Sequence, residues 1–386
     1  MSGMQSFMFA ATIMGVAGRR ILGGGPNRVF RTTLAMLSTN QPIAHWEARD
    51  GEHAYLEEVL GKKAIDWVTG ANDDCIQSLG DPKQDPLYND VLNILDSEDK
   101  IPHVRKIGDM FYNFWQDDKN PRGIWRRTTW KSYTSKSSPV EWELVVDFDA
   151  LGKEENESWV YNSHILCNLD DGTTPTRTLL KLSRGGADAT VVREFDLGTK
   201  KFVPESEGGF VLPEAKSRLS WKSKDLLLVG TEFKGHKSMT DSGYPRTVHE
   251  WKRGTPLESA PMVYEGEASD VSASGYMTRH AKHAFEWRCR SLTFFTSAYS
   301  VRKDGSDKWY DLSEIIQDDA DISHFADQMI ISLRSEWLGY ASGALLSVDM
   351  MDLVENGSKA NFTSIFEPSA RTSLLTYSVL KTRLVL

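Results

Sequence analysis

From Ile101-Pro102 to the C-terminus, apolar residues recur at alternate positions in short runs, and this alternation is the feature that most limits the fold. Residues two apart on a strand point to one face, so such runs describe strands rather than helices. Met110, Tyr112 and Phe114 alternate, as do Leu144, Val146 and Phe148; Val191, Arg193 and Phe195; Leu226, Leu228 and Gly230; and Met329, Ile331 and Leu333. Turn formers separate the runs, as in Asp170-Asp171-Gly172, Arg184-Gly185-Gly186 and Asp304-Gly305-Ser306. One theme returns loosely: a strand, an aromatic beside a carboxylate, a turn and another strand, as at Val145–Asp149, Arg193–Leu197 and Trp309–Leu312. Degenerate strand repeats predict a mainly β chain folded as a β-propeller, whose four-stranded blades bury their faces against their neighbours. At roughly 45 to 50 residues per blade, residues 107–386 supply about six.

An α-helical N-terminal segment precedes the strands. Leu56, Val59, Leu60, Ala64, Trp67, Val68, Ala71 and Cys75 share one helical face. Glu57 and Glu58 fall in its first turns, where the helix dipole favours negative charge, and Gly80-Asp81-Pro82 closes it. A second helix is predicted from about Pro86 to Asp96, with Pro at a position whose missing N–H is harmless. The first 46 residues contain no Asp, Glu or Lys but carry Arg19, Arg20, Arg28 and Arg31, the composition of an organelle-import leader such as a mitochondrial transit peptide. A plain disordered leader is the other reading; the apolar stretch from Phe7 to Ala17 lacks the positive charges that precede a secretion signal. The domain plan is therefore a leader at 1–44, a helical segment at 45–100 and a propeller at 101–386, in a cytoplasmic or organellar protein, with secretion disfavoured.

The net charge of −9 argues against a general binder of nucleic acid or anionic membranes. No apolar run reaches the ~18 residues of a membrane span. Cys75, Cys167 and Cys289 are odd in number and widely spaced, so they read as separate thiols. His280 and His283 precede Cys289 but lack a further ligand at recognisable spacing, so they read as structural and no metal is expected. Glu143, Asp147 and Asp149 imitate paired glycosidase carboxylates, yet residues two apart on a strand share a face for geometric reasons alone. Trp115, Trp125, Trp130 and Trp142 read as packing between blades.

Several longer runs resemble the prolyl oligopeptidase family of serine peptidases. Tyr55–Glu58 with Lys63–Val68 is similar to the family's helical entry segment, and Phe111–Asp117 with Asn120–Thr128 resembles its first blade. More specific are Leu182–Ala189, Arg193–Leu197 and Phe210–Lys216, and above all Ser238–Arg246 with Trp251–Leu257. The resemblance covers about residues 45–386. It implies an N-terminal propeller gating access to an α/β-hydrolase domain, hydrolysis of short proline-containing peptides after proline, and no metal or organic cofactor, because a Ser-Asp-His triad and oxyanion hole suffice.

The chain departs from that expectation at the chemistry. The family's serine is expected on a Gly-x-Ser-x-Gly elbow, and none occurs; at Tyr340–Ala344 the glycine spacing around Ser342 is wrong, so Ser342 reads as a hairpin residue. No room is left for roughly 250 to 300 residues of hydrolase, so no catalytic residue is expected in this chain. Family propellers imply seven blades, making this one incomplete, with uncovered blade edges prone to self-association. The loop expected to matter for function is Thr240–Arg246, where Asp241 and Arg246 supply a charge pair and Tyr244 an aromatic beside a Gly-Pro turn. That reading makes it an interface or peptide-entry loop; a well-capped turn is the simpler one. The alternative for the whole chain is a catalytically silent, stand-alone propeller that binds a protein or peptide.

Overall fold

The computed structural model describes residues 51–58, 61–97, 99–233 and 237–386, so the leader reading of residues 1–44 lies outside the described residues. The chain divides between Lys100 and Ile101. In the first unit a 3-10 turn, Ala54–Glu57, precedes helix α1, Lys62–Leu79, and helix α2, Pro86–Asp96. α1 thus begins later than the apolar pattern predicts, and Glu57 and Glu58 lie before it instead of in its first turns. Gly61 is the reason: it is extended at φ −63°, ψ 134° and interrupts helix propagation, as a residue of poor helix propensity does. Gly80 ends α1 at φ 91°, its N–H bonded to the Ile76 carbonyl, and Asp85 caps α2 by accepting from the Leu87 N–H. Leu87, Val91 and Leu95 of α2 and Val68, Ile76 and Leu79 of α1 remain exposed. No helix among the described residues is long and apolar enough to cross a membrane.

The second unit is built from antiparallel meanders. Blade one comprises β1 Arg105–Ile107, β2 Met110–Trp115, β3 Ile124–Thr129 and β4 Glu143–Asp147. Blade two runs β5 Trp159–Leu166, β6 Arg177–Arg184 and β7 Thr190–Asp196, with β8 Lys201–Phe202 and β9 Val211–Ala215 both paired to β7. Blade three is β10 Arg218–Ser223, β11 Leu226–Gly230, β12 Thr247–Lys252 and β13 Met262–Glu265. Blade four is β14 Ser272–His280, β15 His283–Ser291, β16 Ser297–Lys303 and β17 Tyr310–Asp311. Blade five is β18 Asp321–Phe325, β19 Gln328–Ser332, β20 Leu345–Asp349 and β21 Thr363–Phe366. A short hairpin, β22 Ser378–Val379 with β23 Leu384–Val385, follows. The estimate of about six resolves into five full blades and this hairpin. First strands of successive blades lie together, β5 by β10, β10 by β14 and β14 by β18, so the sheets radiate from a common axis as a propeller requires.

The cores lie between adjacent blades. Tyr112, Trp125, Phe148, Leu180, Leu182 and Phe195 fill the gap between blades one and two. Leu179, Val192, Phe210, Leu212, Trp221 and Leu227 fill the next. Adjacent Leu179 and Leu180 therefore serve different cores, each fully buried side chain contributing about 1.5–3 kcal/mol. The alternation read at Leu226, Leu228 and Gly230 is in fact a continuous buried run, because a middle strand has no solvent face. Alternation also fails at Val145 and Val146, both buried; the register of β4 against β3 slips there, and the bulge turns both inward.

The stretch is not all strand. Helices α3 Trp130–Tyr133, α4 Phe148–Glu155 and α5 Met350–Asn356 interrupt it. Each begins on a side-chain cap at a strand end: Thr129 accepts from Ser132 N–H, Asp147 from Ala150 N–H, and Asp349 from Met351 and Asp352 N–H. The strand–carboxylate–aromatic theme at Asp147-Phe148 is thus a helix start, whereas at Asp196 it is a turn into β8.

A buried ion pair joins blades two and three. Glu194, on β7, is fully buried, and Arg253, just after β12, donates to both its oxygens at 2.8 and 3.1 Å. The remaining guanidinium N–H groups reach Gly208 O, Lys224 O and Asp225 Oδ1, so all five donors are used. Burial works against the charge of Arg253, but the hydrogen bonds and charge of Glu194 outweigh it and its pKa is raised. Removing the carboxylate leaves the buried Phe210 N–H and two donors of Arg253, which stays paired with Asp225, without acceptors, so Glu194→Ala is expected to lose about 1–3 kcal/mol in denaturant unfolding; an unchanged stability would refute this role.

His164 on β5 and His324 on β18 are held neutral by burial, with pKa values lowered from 6.5 to about 4, and the Nε2 of each is buried without a partner. Below pH 6.5 the unfolded chain binds protons at these sites that the folded one refuses, so stability present above that pH is lost as pH falls towards 4. The expected loss is roughly 3 kcal/mol per histidine. Urea midpoints measured across this window should drop steeply, and less so in His324→Phe; a parallel drop in both proteins would assign the acid sensitivity elsewhere.

Candidate functional site

Four antiparallel strands per blade return every first strand in the same direction. The connections between second and third strands, and those from one blade to the next, therefore gather at one end of the propeller. Contacts among them follow: Arg122, between β2 and β3, bonds through its N–H to Asp149 and through its guanidinium to the Ser158 hydroxyl, both between β4 and β5. A polar cavity of about 420 Å³ opens there, lined by Arg122, Asp149, Lys153, Glu157 and Trp159.

The 240–246 loop lies at the same end, between β11 and β12. Met239 bridges Pro245, Thr240 N–H bonds the Tyr244 carbonyl at 2.8 Å, and Gly243 takes φ 73° to reverse the chain. The loop is tied to the connection into blade four by Asp241 N–H to Ala268 O at 2.8 Å and Thr240 Oγ1 to Val271 O at 3.0 Å. It is a braced turn.

The three residues singled out from the sequence separate here. Arg246 pairs with Glu265 at 2.7 Å and donates to the Lys237 carbonyl, so the expected pair with Asp241 does not form. Asp241 is exposed and its carboxylate bonds no described residue; its backbone N–H is fixed by Ala268 and the chain turns back at Gly243, leaving the side chain outside the turn. Tyr244 reaches across to blade two, where its hydroxyl donates to Asp188 Oδ2 at 3.0 Å. Lys216 lies 3.0 Å from the same carboxylate oxygen and 4.4 Å above the Tyr244 ring. The hydrogen bond from Lys216 holds Asp188 below the usual carboxylate range, and Asp188 in turn raises Lys216. Asp188, Lys216 and Tyr244 belong to three separate runs of the family resemblance, which the fold brings together. Lys181 and Arg218, beside them, carried no sequence signal.

The weaker candidates resolve as structural. Ser342 donates to the Arg334 carbonyl at 2.6 Å beside Gly343 at φ 87°, in the connection between β19 and β20, with no described His or carboxylate bonded to it. His280 accepts from Ala326 N–H on Nδ1 and so donates from Nε2 to the Leu380 carbonyl, leaving neither nitrogen for a metal. Glu143 binds Arg127 and Lys200, Asp147 caps α4, and Asp149 accepts from Arg122 N–H, so none resembles a glycosidase acid. Trp125 is core, while Trp115 and Trp142 sandwich the Arg126 guanidinium at 4.4 and 4.2 Å. The three cysteines are free thiols, and burial raises Cys167 to about 11.

This architecture has counterparts among known proteins. The chain is 31% identical over 99% of its length to an uncharacterized peptidase, y4nA, of Sinorhizobium fredii, and 28% identical over 82% to an uncharacterized peptidase, RP174, of Rickettsia prowazekii. It spans about half the length of these relatives, 52% and 45% respectively. A solved structure of a post-proline cleaving enzyme from Rickettsia typhi superposes with a TM-score of 0.73 at 27% identity, over 87% of this chain and 50% of that one. Residues 38–285, well over half of the chain and including every run that meets at Asp188 and Tyr244, match the family described as prolyl oligopeptidase, N-terminal beta-propeller domain, and the chain belongs to that family.

Proposed function

We propose that this chain is the propeller part of a serine peptidase that hydrolyses short peptides after proline, and that in the whole protein the propeller governs access to an α/β-hydrolase domain. The observation that carries the reading is the likeness, at 27% identity and TM-score 0.73, to an enzyme named for post-proline cleavage. The half-length coverage of the peptidase relatives supports a division of labour in which nucleophile, base and oxyanion donors belong to other residues of the whole protein. First strands of successive blades lie side by side around one axis, an arrangement that supports a size filter admitting extended peptides in preference to folded proteins. Phe294, Phe295 and Leu338 are exposed in second-to-third-strand connections at the loop end, where a catalytic domain would meet the propeller.

The whole protein, expressed from the longest reading frame containing residues 1–386, is expected to release p-nitroaniline from succinyl-Gly-Pro-p-nitroanilide and to leave a folded proline-containing protein intact. Residues 1–386 alone are expected to show no turnover. Turnover by residues 1–386, or cleavage with no preference for proline, would refute the assignment; silence in both proteins would favour a stand-alone binding propeller.

The uncovered faces also bear on solution behaviour. Trp130 and Leu144 on blade one, and Leu375, Leu380 and Val385 around the final hairpin, are exposed. Residues 1–386 alone are expected to self-associate, seen by light scattering after gel filtration as a mass that rises with concentration. A sharp monomer peak with cooperative melting would exclude this.

A further inference from the structure

The gap between blades two and three gathers three cations around one carboxylate at the loop end. Lys216 and the Tyr244 hydroxyl share Asp188, each at 3.0 Å. Lys181, on β6, donates to the Ser217 carbonyl at 3.3 Å, which sets its ammonium on the backbone between Lys216 and Arg218. Arg218, the exposed first residue of β10, is paired through its backbone with Gly230 and approaches the Tyr244 ring to 5.7 Å, but its guanidinium makes no hydrogen bond or ion pair with any described residue. Burial, reinforced by the charge of Arg218, pulls Lys181 down to about 8. Like charges are thus held together with too little counter-charge, in a chain whose net charge is −9. An incoming anion would relieve that arrangement.

We propose that Lys181, Lys216 and Arg218 form a carboxylate-binding subsite for peptides, with Arg218 as the group that contacts the ligand. A guanidinium presents paired N–H donors matched to two carboxylate oxygens, and Arg218 has its donors free among the described residues. Lys216, pinned by Asp188 and Tyr244, fixes a second positive charge beside it, and Lys181 takes up a proton as the anion arrives. The inference rests on the peptide-handling reading above and names the ligand group that reading lacks.

Calorimetric titration of residues 1–386 with acetyl-Ala-Pro-Gly as the free acid, with its C-terminal amide and with acetyl-Glu-Pro-Gly amide tests it. At least one carboxylate peptide is expected to bind tenfold or more tightly than the uncharged amide, and the stronger of the two identifies a terminal or a side-chain carboxylate. Arg218→Gln should abolish the preference and Arg218→Lys retain part of it, both melting like the parent. Near pH 8 the binding heat should vary with buffer ionisation enthalpy, reporting proton uptake, and Lys181→Met should remove that variation. Equal binding of all three peptides, or a preference that survives Arg218→Gln, overturns the subsite while leaving peptide handling intact; binding of none overturns the propeller's share in peptide handling as well.

Discussion

The fully buried carboxylate of Glu194 in blade two is held by the Phe210 N–H and Arg177 of its own blade and by a guanidinium that blade three delivers to both its oxygens. Glu194 and Arg253 are 59 residues apart, and Glu194 could not be buried charged without partners, since the desolvation of an unpaired ion costs several kcal/mol. The pair therefore does more than adhere two sheets. It fixes their register, because the fork of Arg253 fits both Glu194 oxygens and three further acceptors in one arrangement only. The gap between blades three and four repeats the device: Glu286, nearly buried on β15, meets Lys222 of β10 at 3.0 Å and Arg302 of β16 at 2.7 Å. Apolar packing supplies most of the adhesion between blades but tolerates sliding, whereas a buried ion pair does not.

The device explains what the sequence could and could not show. The alternating runs fall on β2, β4, β7, β11 and β19, five strands of the 23 described, because side-chain direction repeats every two residues where a face is buried. They could not show which face met which blade. Val191 and Phe195 turn towards blade one and Val192 and Glu194 towards blade three, a consequence of the radial arrangement and not of local pattern. The same limit produced the misreadings. Asp147 looked like a strand end because its capping bond to Ala150 N–H leaves no trace in periodicity, and Val145 looked outward because a bulge shifts parity by one.

The candidate site was legible in part. Tyr244 stood out as an aromatic beside a Gly-Pro turn, and it does reach across a blade gap. Arg246 was given the wrong partner, since proximity in sequence favoured Asp241 whereas the strand pairing of Thr247 with Glu265 carries Glu265 alongside. Lys181 and Arg218 were invisible for a different reason. A basic residue on a strand looks like solvent-facing alternation until the neighbouring blade shows how few acids surround it.

The difference between these two kinds of charge separates structure from function in this fold. Where cations and carboxylates balance, as at Arg253 with Glu194, every donor is used and the geometry is closed, so nothing is left for a ligand. Where they do not balance, as around Arg218, the fold holds charge that its own residues leave unsatisfied. Both arise in the gap between blades two and three, but Arg253 sits beside the turn between β10 and β11, whereas Asp188, Lys216 and Tyr244 lie in connections at the opposite end. Propellers keep their sheets nearly constant and vary their connections. A charge imbalance at the connecting end can therefore change without disturbing the register that Glu194 and Arg253 impose, and that independence lets one scaffold acquire new specificity.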